Sequence, residues 1–201
     1  MKACFIICIV ALFMGCPTAQ KNISNEEGEF YEFPTDKSPE YAEIKDNLYR
    51  NTKYKFRIKF PVDWKILPGV GSNVVVKAVH SGRTISVVVK QISLDDPELT
   101  IADVYDDFNL YVDAQLVALK NKFPETHIIS SRILKVDNRL AYSFKYSTKY
   151  KARAPNATGI NVQIFYRGIF YTITTVGLEK DFDNIEEIVN NTISTFVIED
   201  F

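Results

Sequence analysis

Ile160-Asn161-Val162-Gln163-Ile164-Phe165-Tyr166-Arg167-Gly168-Ile169-Phe170-Tyr171-Thr172-Ile173-Thr174-Thr175-Val176 reads as two strands joined by a tight turn. Ile160, Val162 and Ile164 alternate with polar residues, and Arg167-Gly168 supplies the turn. The β-branched and aromatic content favours strand over helix. Working upstream, Leu140, Tyr142, Phe144 and Tyr146 alternate with Ala141, Ser143 and Lys145, and Asp137-Asn138 turns back to a strand over His127–Val136. Four consecutive strands with short connections pair antiparallel. Further upstream the period changes. Ile101, Val104, Tyr105, Phe108, Val112, Leu116, Leu119 and Phe123 are spaced by three and four, which predicts one helix from Thr100 to Pro124. Thr100 caps it, and Asp103 suits the positive end of the helix dipole. Before the helix, Val74–Val79 and Ile85–Val89 flank His80-Ser81-Gly82-Arg83 as a hairpin. Tyr54, Phe56, Ile58 and Phe60 alternate with Lys55, Arg57 and Lys59 up to Pro61, which cannot donate to a ladder. A last helix begins near Glu179. The order is three strands, a long helix, four strands and a helix. That predicts an α+β fold: an antiparallel sheet of about six to seven strands flanked by helices, an α/β/α sandwich.

The remainder of the 201 residues is an address. Met1-Lys2 precedes an apolar run from Cys4 to Met14, too short to span a bilayer comfortably but suited to a secretory signal over residues 1–15. Leu12-Phe13-Met14-Gly15-Cys16 resembles a bacterial lipobox, which implies cleavage before Cys16 and an acylated N-terminus there. The alternative is cleavage after Ala19 and a soluble periplasmic or secreted protein. Cys4, Cys8 and Cys16 are the only cysteines, so no disulfide staples the mature domain. Residues 16–48 read as the lipidated N-terminus and a flexible tether, with Phe30, Tyr31 and Phe33 able to clip it to the domain. Residues 49–201 form the folded domain, long enough to bury a sizeable core. With 24 Lys+Arg against 25 Asp+Glu there is no reason to expect nucleic acid as a partner.

Tyr49-Arg50-Asn51, then Tyr54-Lys55-Phe56-Arg57-Ile58-Lys59-Phe60-Pro61-Val62-Asp63-Trp64, resembles the opening of the PsbP-like fold. Gly168-Ile169-Phe170-Tyr171-Thr172-Ile173-Thr174, a helix, and Ile193-Ser194-Thr195-Phe196 resemble its ending. The group holds the extrinsic PsbP protein of photosystem II, a Ran-binding nuclear-import factor and bacterial lipoproteins. The resemblance implies a sheet flanked by helices and non-enzymatic docking. These motifs are signatures of fold, and no partner-contacting residue carries over.

The two histidines, His80 and His127, lie in a turn and at a strand start, neither beside a patterned nucleophile. Gly69-Val70-Gly71 lacks the third glycine and the helix of a phosphate loop. Asp95, Asp96, Glu98, Asp103, Asp106 and Asp107 crowd the helix start, but their spacing matches no EF-hand, and acids favour helix N-termini anyway. No catalytic residue, metal or cofactor is therefore expected. On the hairpin from Ser147 to Gly159, the residues Lys149, Tyr150, Lys151 and Arg153 interleave cation and aromatic, a composition found at contact surfaces. The sequence predicts an exported module, tethered to the outer side of a bacterial membrane, that binds a protein partner in the cell envelope. A hydrolase or metal-dependent enzyme with a site hidden from sequence is the alternative.

Overall fold

The computed structural model describes residues 41–71, 73–92, 98–149, 155–181 and 183–199. Four strands, β1 (Ala42–Lys45), β2 (Leu48–Asn51), β3 (Phe56–Lys59) and β11 (Val197–Ile198), make a small antiparallel sheet in the order β1-β2-β3-β11. The remaining seven are β4 (Lys65–Pro68), β5 (Val74–His80), β6 (Arg83–Gln91), β7 (His127–Val136), β8 (Arg139–Thr148), β9 (Ala157–Tyr166) and β10 (Ile169–Leu178). They form one antiparallel sheet in the order β4-β5-β6-β10-β9-β8-β7. After β6 the chain crosses through α1 (Ile101–Val104) and α2 (Phe108–Lys122) to the far edge at β7. It then returns strand by strand until β10 closes against β6. A 3-10 turn at Glu179–Asp181 leads into α3 (Asp183–Ser194).

The expected α+β architecture is present, with two antiparallel sheets and three helices. Its hairpins turn where the sequence placed them. Ser81-Gly82, Asp137-Asn138 and Arg167-Gly168 all have positive φ at both positions. That conformation matches the right-handed twist of the flanking strands. One face of the large sheet packs on the small sheet and α3. Phe56, Ile58 and Phe196 meet Tyr171, Ile173, Val162 and Val87 there, and all are buried. The other face, over β7, β8 and β9, carries α1 and α2.

Several expectations need correction. The single helix is two. Tyr105 is extended (φ −116, ψ 112), which ends α1, and extended Asp107 starts α2 by accepting from the Asn109 N–H at 2.5 Å. The Tyr105 ring leaves the helical path to pack 4.8 Å from Tyr111, centroid to centroid. The alternation read over 54–60 yields a strand of four residues only, because Lys55 is left-handed (φ 52). That strand belongs to the small sheet, whose other members the sequence reading did not find. Pairing begins at Ala42, so β1 takes in residues read as tether. Residues 1–40, including Cys16 and the aromatic trio Phe30, Tyr31 and Phe33, lie outside the described residues. No helix among the described residues is long and apolar enough to cross a membrane.

Candidate functional site

Of the four residues expected at a contact tip, Lys149 closes β8 with its Nζ 4.0 Å from a Glu125 oxygen. Tyr150, Lys151 and Arg153 lie outside the described residues. The acidic cluster divides. Asp103 accepts from the Thr100 N–H at 2.7 Å and its hydroxyl at 2.6 Å, and these bonds hold its carboxyl below the usual range. Asp107 caps α2 as described, while Asp95 and Asp96 lie outside the described residues. Among the described residues no group of three His, Cys, Asp or Glu side chains is placed to hold a metal ion. His80 stacks on Trp64, ring centroids 6.0 Å apart, and its Nδ1 lies 3.1 Å from the Asp63 carbonyl oxygen.

The structure brings together polar residues that the sequence reading passed over. Beneath α1 and α2 the large sheet presents Asn161, Gln163 and Thr172, all buried. Gln163 Nε2 donates to Thr172 Oγ1 at 3.1 Å, and Tyr105 Oη donates to Gln163 Oε1 at 3.3 Å. On α2, Tyr111 and Gln115 are buried as well. Tyr111 sits 5.3 Å from the Tyr142 ring and 6.1 Å from that of Phe144. Phe144 is the register partner of Asn161. Burial pushes the Tyr105 and Tyr111 phenols above the ordinary tyrosine value, so both stay neutral. Tyr111 Oη, Gln115 Nε2 and Asn161 Oδ1 are buried with no hydrogen-bond partner. Unmade groups of this kind are rare in folded proteins and call for a physical account. A signal was available: Gln115 falls four residues from both Tyr111 and Leu119, inside the apolar stripe, where a polar residue has to answer to something.

A second feature lies at the sheet edge. The β4 edge is short and ends in Pro68, which blunts it. At the other edge, β7 runs for ten residues with a register shift between Ile128 and Ser130. Its Ile129 and Ile133 are 48% and 52% exposed. Lys149 stands near the start of this edge, since His127 pairs with Ser147. An edge this long, with two exposed isoleucines among Ser130, Ser131, Arg132 and Lys135, presents a row of backbone donors and acceptors to an extended chain.

Among curated proteins, none matches this chain in sequence. Among solved structures, the cyanobacterial PsbP, CyanoP, of Synechocystis sp. PCC 6803 superposes with a TM-score of 0.58 at 17% identity, over 77% of this chain and 94% of its own. LpqN of Mycobacterium tuberculosis, described as involved in cell envelope biogenesis, gives 0.54 at 14% identity, over 72% of this chain and 83% of its own. These likenesses show the fold. The family model for PsbP matches residues 46–198, from the turn after β1 through β11. Most of the chain is thereby accounted for, and the protein belongs to the PsbP family.

Proposed function

We propose that this protein is an exported accessory module, tethered to the outer side of a bacterial membrane through an acylated Cys16, that works by docking rather than catalysis. An extended segment of a protein partner adds to the free edge of β7. The ten-residue edge carries this reading: Ile129 and Ile133 stay exposed on it beside Arg132 and Lys135, and its length leaves a row of backbone donors and acceptors for an added strand. Lys149 stands near the start of the edge, and the charge that it shares in sequence with Lys151 and Arg153, around Tyr150, would steer acidic partner residues toward it. The fold shared with LpqN, a protein of cell envelope biogenesis, fits an address in the envelope. Gly15-Cys16 at the end of the apolar run supports the lipid anchor.

The test is crosslinked capture from the envelope of cells making the tethered chain. Ile133→Asp and the triple change of Lys149, Lys151 and Arg153 to Ser should each lower capture of the partner without moving the melting temperature. Capture that is unchanged in both variants would refute docking at this edge. Labelling with a clickable fatty acid should mark the chain and fail to mark Cys16→Ser. Equal release of both forms into the soluble fraction would refute the tether.

A further inference from the structure

The segment that precedes the small sheet carries a pattern that β7 answers. Glu26-Glu27-Gly28-Glu29-Phe30-Tyr31-Glu32-Phe33 holds acids and aromatics and no cation, and it lies outside the described residues. On β7, Arg132 and Lys135 are exposed and stand three residues apart, with exposed Ile133 between them. Neither makes an ion pair among the described residues; Arg132 donates to Asn190 at 3.0 Å. Glu29 and Glu32 have the same spacing, with Phe30 between them. One parallel register therefore sets Glu29 beside Arg132, Phe30 beside Ile133 and Glu32 beside Lys135. The same register sets Tyr31 beside Leu134 and Phe33 beside Val136. Side chains alternate between the faces of a strand. Tyr31 and Phe33 thus fall on the face where Leu134 and Val136 join the core against the small sheet.

The chain is long enough to reach. Ala42, Asn51, Phe56 and Ile198 are register partners in turn across the small sheet. Ala42 therefore stands three strand spacings, about 14 Å, from Ile198. The Ile198 N–H donates at 3.0 Å to Asp137, the residue after β7. With that contact and one more strand spacing, the free side of Val136 lies about 25 Å from Ala42. Residues 34–41 join Phe33 to Ala42 and span up to about 30 Å when extended. The reverse orientation, with Glu29 beside Lys135, would carry Phe33 to Ser131, about 17 Å further along β7 and at the limit of that reach.

We propose that residues 26–33 lie along the β7 edge as a parallel strand in the same chain and keep it covered until a partner displaces them. The regulatory part rests on the reading of that edge as a docking site. Exposed ion pairs are weak, so the two Glu-to-cation contacts set the register. Backbone hydrogen bonds and burial of the aromatics supply the hold. The strap presents to the edge the same acidic character that the cations would select in a partner.

A photo-crosslinking residue at Phe30, in the purified full chain carrying Cys16→Ser, tests the strap with no partner present. Mass spectrometry should place the crosslink within residues 131–135 of the same chain. Glu29→Lys with Glu32→Lys should cut its yield severalfold. Adding Arg132→Glu and Lys135→Glu should restore it, a rescue not expected from a general loss of fold. In envelope capture by the tethered chain, removal of residues 26–33 should raise the amount of partner taken at the edge. A crosslink to β1, one spread over the surface, or one between two chains would overturn the strap. So would a yield that ignores the charge reversal. The two readings fail separately. Partner capture without a crosslink to β7 refutes the strap and leaves docking in place. A crosslink to β7 with no partner captured, even after removal of residues 26–33, refutes docking and, with it, the regulatory part of this proposal.

Discussion

Trp64, the only tryptophan, is 7% exposed and closes the end of the core where β3 hands over to β4. Its N–H bond to the Pro61 carbonyl at 3.1 Å fixes the turn, and its ring lies nearly parallel to that of His80. Truncation of a packed aromatic costs about 3–5 kcal/mol. Trp64→Ala should therefore lower the denaturant midpoint strongly; a shift no larger than that of a surface change would place the ring outside the core. Gly159 shows the opposite constraint. A Cβ there would stand 2.3 Å from Cζ of Tyr146, whose ring is fully buried and cannot retreat. Overpacking of this kind costs about 1–3 kcal/mol. Gly159→Ala should lower the melting temperature, and a neutral result would mean that the Tyr146 ring moves freely. Trp64 was legible in the sequence as part of the family resemblance that runs on from Phe60-Pro61. Gly159 was not, because its need is set by a residue on the neighbouring strand.

Elements with a strong period and a standard turn were legible, which is why β5, β6 and β7 to β10 fall where alternation put them. The break between α1 and α2 was hidden because Tyr105 satisfies the helical spacing in sequence and a buried ring site in space. Asp106-Asp107 was the available cue, since aspartate favours caps over helix interiors. The small sheet escaped for a different reason. β1 and β2 are four residues each and expose Ile44 and Leu48, so no alternation marks them. What holds that sheet is distant in sequence: Arg50 Nε donates to both Glu199 oxygens, at 2.9 and 2.8 Å, and the Ile198 N–H donates to Asp137 at 3.0 Å. The buried pair Gln163 and Thr172 was illegible for the same cause, because register alone sets them side by side. At this scale Asp107→Ala should cost about 1 kcal/mol through loss of the α2 cap. Amide exchange should quicken in the first turn of α2 while β8 and β9 stay protected. Unchanged exchange there would show that packing, not the cap, starts the helix.

At the scale of the whole molecule, Tyr105, Tyr111 and Tyr171 lie buried in the two cores. Burial raises the pKa of Tyr105, Tyr111 and Tyr171 above the ordinary value. Unfolded tyrosines ionise near pH 10, while these stay protonated in the fold. The unfolded state then binds fewer protons, so stability is full below about pH 10 and falls as pH rises above it. Thermal melts from pH 8 to 12 should show that decline, with the tyrosinate absorbance of the buried phenols appearing together with unfolding; ionisation of Tyr105, Tyr111 or Tyr171 in the folded protein would contradict their burial. Charge is sorted as well: the strands of the large sheet carry Lys and Arg but no Asp or Glu, while Glu43 lies on β1 of the small sheet. On the proposed reading, docking uses the β7 edge, which pairs with β8 alone among the described residues. The central claim is that a partner adds to the β7 edge. The most direct measurement places a photo-crosslinking residue at Ile133 in the tethered chain and, as control, at Val117 on the solvent side of α2. The account predicts one discrete crosslinked partner from position 133 and none from position 117. Equal products from both positions, or none from position 133, would contradict it.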